Sequence, residues 1–111
     1  MTTPLEALAI LDLRIGTVLS ATPFAEAPTP AIKLEVDFGA EFGVKRSSAQ
    51  LTRRYEPAEL IGRQIVAAVN LGTRRIAGYS SEVLVLGGMP EAGDVVLLAL
   101  DAPVPNGTRV A

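Results

Sequence analysis

The residues most able to do chemistry lie in one stretch, Asn70 to Leu86, NLGTRRIAGYSSEVLVL. Arg74 and Arg75 are fixed cations whose forked donors match phosphate or carboxylate. Gly72 and Gly78 let backbone approach a partner closely, because they carry no side chain. A strand is expected to end at Asn70. Ser81 and Glu82 are expected to open an apolar strand, Glu82 to Leu86, that anchors the intervening loop in a core. Binding residues often stand on such loops above a rigid sheet. Ser81 could bond a base, a phosphate or its own loop backbone. Glu82 and Asn70 could contact a ligand or hold the arginines in place. A second polar group, Lys45, Arg46, Ser47 and Ser48, lies upstream, and strand alternation allows only one of the two cations to share a face with Ser48. A Ser–Lys catalytic pair can be drawn there, but nothing else in the sequence supports it.

The chain has no His and no Cys. That excludes a Ser–His pair, a thiolate nucleophile, and imidazole or thiolate metal ligands. No metal or other cofactor is expected, and no Gly-Lys-Ser/Thr phosphate loop is present to couple ATP. The lack of cysteine suits a reducing cytoplasm. Neither a membrane span nor a signal peptide is expected: no apolar run approaches roughly 20 residues, and no basic region precedes Leu5–Leu11. The net charge of −2 hides an uneven distribution. From Lys45 to Arg75 there are seven cations and two anions, or +5; the remainder has three cations and ten anions, or −7. A basic middle in an acidic chain fits a polyanion footprint, or else arginines that point apart and merely solubilise the surface.

The elements that must position these groups read as follows. Thr3-Pro4-Leu5-Glu6 starts a helix, with Thr3 as cap and Pro4 at the first helical position. Its body to Leu11 is apolar nearly all round, which calls for two apolar neighbours. Leu5, Leu8, Ile10 and Leu11 are therefore candidate contacts with a second subunit, unless the helix tucks under its own domain. Arg14–Thr22 is a strand in which Gly16 marks a bulge or sharp bend. Ile32–Phe38 alternates strictly, with Ile32, Leu34, Val36 and Phe38 facing inward. Val44–Ala49 is its hairpin partner. Leu51–Tyr55 makes a helical turn, and Glu56–Leu60 a short helix stopped by Gly62. Strands follow at Arg63–Asn70, Glu82–Leu86 and Asp94–Leu100, with Gly87-Gly88 and Pro90–Gly93 as turns. Thr108–Val110 adds a short terminal strand. Five or six strands with a helix after the third predict one all-β domain over residues 1–111, a five-stranded OB barrel with an N-terminal helix.

Several of these segments together resemble the tRNA-binding OB-domain family. They are Arg14-Ile15-Gly16, Lys45 to Leu51, Tyr55 with Glu59–Gly62, and Asn70-Leu71 through Gly78 to Ser81-Glu82. Ser47-Ser48-Ala49-Gln50, Ser81 to Gly87 and Pro103 to Arg109 place the chain nearest the CsaA-type export-related chaperones in that family. The resemblance implies a homodimer joined through its terminal extensions. It also implies non-catalytic binding of tRNA and of unfolded or pre-export polypeptides, without ATP. A tRNA-binding accessory module for a synthetase or another RNA enzyme is the alternative. On this reading Lys45, Arg46, Ser48, Asn70, Arg74, Arg75, Ser81 and Glu82 face the nucleic acid. Phe24, Phe42, Ile76 and Tyr79 are candidates for an exposed apolar patch that holds peptide. Relatives carry proline before the arginine, whereas Gly72-Thr73 stands here, which implies a looser loop.

Overall fold

The computed structural model describes all 111 residues. Helix α1 (Pro4–Ile10) begins as its first residues dictate: the Glu6 backbone N–H donates to Thr3 Oγ1 at 3.2 Å. Strand β1 (Leu13–Pro23) then runs long enough to serve two partners. Its first half pairs antiparallel with β4 (Gln64–Ala68) and its second half with β2 (Ile32–Asp37). β2 pairs in turn with β3 (Val44–Ala49), and β4 with the short β7 (Leu84–Val85). The order β3-β2-β1-β4-β7 curls into a nearly closed five-stranded barrel. Helix α2 (Pro57–Leu60) lies between β3 and β4, as expected, and drives Leu60 into the core.

The alternation in β2 is realised: Ile32, Leu34, Val36 and the adjoining Phe38 are buried inside the barrel, while Lys33, Glu35 and Asp37 turn outward. β4 lacks alternation because both of its faces are covered. Ile65 and Ala67 enter the barrel core. Val66 and Ala68 join Leu13 and Ile15 in a second core beneath Leu11, Val104 and Val110. The C-terminal tail covers that outer face by pairing along the edge of β1 that β2 leaves open. Ile15 N–H donates to Thr108 C=O at 2.9 Å, and Val110 N–H to Leu13 C=O at 2.9 Å. The expected terminal strand is thus a single bridge, Arg14 to Arg109.

Four expectations need correction. The bulge in β1 lies at Leu19, between the Val18 and Ser20 pairings, not at Gly16. Gly16 is instead a packing requirement: a Cβ there would stand 2.6 Å from Val36 Cγ1 and 2.7 Å from the Phe38 ring. Both neighbours are fully buried and have nowhere to move. We expect Gly16→Ala to lower stability by about 1–3 kcal/mol, read as a lower urea midpoint at unchanged slope. Second, the arginine segment is not a loop but a hairpin, β5 (Arg74–Ile76) and β6 (Tyr79–Ser81). Its turn uses positive φ at both Ala77 (46°) and Gly78 (82°), the twist that tight hairpins need. Third, Gly87–Glu91 is not a run of turns but strand β8, hairpinned to β9 (Asp94–Leu97). Last, β9 ends at Leu97, and Leu98 and Leu100 are exposed.

Candidate nucleic-acid interface

The barrel closes between β3 and residues 81–83, and side chains do much of the closing. Glu82 N–H donates to Arg46 C=O at 2.8 Å. Arg46 N–H donates to Glu82 Oε1 at 3.0 Å, and Ser48 N–H to Ser81 Oγ at 3.1 Å. Buried Ser47 donates its hydroxyl to Val83 C=O at 2.9 Å. Ser81 and Glu82 thus spend their oxygens on the β3 edge. Glu82 pairs with Arg46, at 3.6 Å, and not with Arg74 or Arg75. Asn70 holds neither arginine: its Oδ1 accepts from Asp12 N–H at 2.9 Å and its amide donates to Ile10 C=O at 2.8 Å. It clamps the end of α1 to the end of β4.

Alternation puts Arg46 and Ser48 on the outward face of β3, with Ser47 buried behind. Lys45 shares the Ser47 face, half-buried. Across the hairpin, Tyr79 donates its hydroxyl to Leu34 C=O at 3.1 Å. Burial pushes that hydroxyl's pKa up, so it stays a donor through the neutral range. The ring packs edge-on against Phe24, centroids 5.4 Å apart, and the Lys33 ammonium stands 4.7 Å from the Phe24 centroid and 5.1 Å from that of Tyr79. Tyr79 therefore fixes the hairpin to β2. Phe24, expected at an exposed strand end, is buried under Lys33 at 3% exposure. Phe42 is half-buried below the Arg14 guanidinium, 4.7 Å away, and Ile76 is half-buried on the hairpin.

What the anchored hairpin presents is unneutralised positive charge. Arg14, Arg46, Arg53 and Arg54 each have a carboxylate partner. Exposed Arg74 has neither an ion pair nor a side-chain hydrogen bond, and Arg75 donates only to the Ser80 hydroxyl at 3.2 Å. Lys33 and Lys45 also lack carboxylate partners within salt-bridge distance. Beside the hairpin runs a cleft of about 640 Å³. Its lining includes Ala27 and Pro28 of the β1–β2 loop, all of β5, buried Leu51, and the apolar side chains of Leu84, Met89 and Val95. The loop after β1 and the loop after β4 are those with which OB barrels bind oligonucleotides. The sequence does not reveal the contribution of Met89, because its Gly-Gly-Met-Pro segment carries turn residues and no strand alternation; Val95 falls on an expected strand, but nothing in the sequence turns it toward this cleft.

The β8–β9 hairpin is docked by ion pairs. Arg54 grips Asp94 with two bonds, 2.5 and 2.9 Å, and Arg53 reaches Glu91 at 3.1 Å. The Arg54 hydrogen bonds hold the Asp94 carboxyl below the usual 3.8. A depressed carboxylate stabilises the docked state fully above its unfolded value and stops doing so as pH falls through its folded value. Protection of the Val95–Leu97 amides against hydrogen exchange should therefore fall steeply below about pH 4, and Asp94→Asn should flatten that dependence.

With this geometry in view, the comparisons with known proteins are specific. The family model tRNA_bind, "Putative tRNA binding domain", matches residues 13–109. The chain belongs to this family. Over its full length, and over the full length of the other chain, it is 58% identical to the crystal structure of chaperone CsaA from Bacillus anthracis str. Ames, at a TM-score of 0.92. The CsaA chaperone protein from Picrophilus torridus is 40% identical, also over both full lengths, at a TM-score of 0.88. Among curated proteins, the methionine–tRNA ligase of Methanococcoides burtonii is 35% identical over 100 residues, 90% of this chain. That match spans only 14% of the ligase. The fold and the matches define a binding module built on an OB barrel.

Proposed function

We propose that this protein is a non-catalytic, cytoplasmic, homodimeric chaperone of the CsaA type, which holds unfolded or pre-export polypeptides and also binds tRNA. The observation that carries the reading is the full-length similarity to two CsaA chaperone structures, at 58% and 40% identity. The surface supports it. Arg74, Arg75 and Lys45 offer phosphates charges that no carboxylate has claimed, and Arg46 and the Ser48 hydroxyl lie on the neighbouring outward face. Asn70, Ser81 and Glu82 serve the same interface by holding the strands that carry these groups. The apolar lining of the cleft, Ile76 included, receives polypeptide. Leu5, Leu8 and Ile10 are 77%, 53% and 66% exposed around α1 and are the apolar surface that a second copy covers, with Leu11 continuing into the second core. Residues 1–111 act as one OB domain whose ends are its dimerisation extensions.

A second reading, a tRNA-binding accessory module for a synthetase, is favoured by the methionine–tRNA ligase matches. Salt separates the two. Binding of tRNA should weaken by roughly one power of salt concentration per phosphate contact, whereas suppression of aggregation of an unfolded protein through apolar contact should not. A gel shift and an aggregation assay on one sample at two salt concentrations test both. A chain that shifts tRNA yet suppresses no aggregation is an accessory module; one that does neither has another role. No helix is long and apolar enough to cross a membrane.

A further inference from the structure

The C-terminal tail carries two residues whose chemistry the binding surface does not use, Asn106 and Gly107. Both are required where they stand. Asn106 Oδ1 accepts from Thr17 Oγ1 at 2.7 Å and from Gln64 Nε2 at 3.3 Å, which ties the tail across β1 and β4. Gly107 has a φ of 88°, and a Cβ on it would stand 2.6 Å from the Phe38 carbonyl oxygen. The pair occupies the middle of a turn closed by Thr108 N–H, which donates to Pro105 C=O at 3.1 Å. The fold thus demands a dipeptide prone to cyclise on itself, since glycine leaves its amide nitrogen unshielded within reach of the asparagine Cγ. It also restrains that nitrogen. Gly107 N–H donates to Ile15 C=O at 2.7 Å, and Arg14 donates to Gly107 C=O at 3.1 Å. Thr17 and Gln64 polarise the Asn106 amide, but they also hold it in place, and the nucleophile is turned to β1.

We propose that Asn106–Gly107 is a latent self-modification site, unreactive while the tail is seated on β1 and triggered when the tail lifts. In the released tail the Gly107 nitrogen attacks Asn106 Cγ. A new Cγ–N bond forms, the Cγ–Nδ2 bond breaks, and Nδ2 leaves as ammonia with the proton of the Gly107 amide. Water then opens the five-membered imide at either carbonyl, giving aspartate or isoaspartate. The two products behave differently in the fold. Aspartate keeps an acceptor where Asn106 Oδ1 stood, so the Thr17 and Gln64 bonds re-form. Isoaspartate puts the side-chain methylene into the main chain. The added bond throws Gly107 N–H out of register with Ile15 C=O while Val110 N–H still meets Leu13 C=O, so both cannot be kept. Leu13, Ile15, Val66 and Ala68 then lose the cover of Val104 and Val110. A passing local opening becomes a lasting one.

The test incubates the full chain at neutral pH, folded and in urea. Isoaspartate is counted by protein-isoaspartate methyltransferase and located by peptide mapping. It should form at position 106 in urea, and at least about tenfold more slowly in the folded chain. Val110→Ala, which loosens the tail without touching the reacting groups, should speed the folded-state reaction and hydrogen exchange of the Gly107 amide by one common factor, about fivefold. The same proportionality is read in the unsubstituted chain at urea concentrations below the unfolding transition, so the result does not hinge on the variant's folding. Asn106→Asp should leave the thermal midpoint unchanged. The isoaspartyl form, isolated by ion exchange, should exchange its Ile15 and Val110 amides faster than the parent. No isoaspartate in urea would overturn the site. Equal rates with and without urea, or exchange that quickens while modification does not, would overturn its gating by the tail. Ile15 and Val110 amides still protected in the isoaspartyl form would overturn the lasting opening.

Discussion

Replacing both Arg74 and Arg75 by Glu is expected to weaken tRNA binding on the order of 100-fold near 0.1 M salt, and to reduce the slope of log affinity against log salt by about two. The size follows from what the two side chains are doing in the free protein. Neither has a carboxylate partner, so neither is lost from the structure when replaced. Both stand on a hairpin that Tyr79 fastens to β2, so their charges arrive at a ligand in one arrangement. Arg53 and Arg54 are the internal comparison. They lie in the same basic segment but are engaged with Glu91 and Asp94. Substituting Arg53 by Gln should change tRNA affinity little. Filter binding across a salt series distinguishes the two outcomes, and an unaltered affinity in the double variant would move the phosphates to another face.

On the homodimer proposed above, Leu8→Asp should convert dimers to monomers, weakening self-association by about 100-fold or more. In a two-fold interface each substitution acts twice, once from each copy. Leu8 contributes nothing to its own core: α1 buries no residue at all in the single chain. The fold should therefore survive, and sedimentation should report a mass halved with circular dichroism unchanged. An unchanged mass would remove the helix from the interface.

Much of the barrel was legible, and the reasons are local. β2 alternates, so its period alone assigned its faces. Thr3 and Pro4 fixed where α1 begins. The two late hairpins were not legible. β6 contains Tyr79, Ser80 and Ser81, and β8 contains Gly-Gly-Met-Pro; neither shows an apolar period. The turn that makes β5–β6 places an alanine at positive φ, where sequence rules look for Asn, Asp or Gly. Of the site, the residue types were visible but their partners were not. Arg74 and Arg75 differ from Arg53 and Arg54 only in whether a distant carboxylate, 38 or 40 residues away, folds back onto them. Phe24 looked exposed because it follows Pro23 at a strand end, yet Lys33 and Tyr79 close over it.

The junction of β3 with residues 81–83 is stitched largely by two hydroxyls and one carboxylate, with a main-chain rung from Glu82 N–H to Arg46 C=O. Its fidelity is consequently written in Ser47, Ser81 and Glu82 rather than guaranteed by backbone geometry. An alanine scan that found lost RNA affinity at those three positions would be measuring a gaping stave in the barrel wall, and only secondarily a vanished contact.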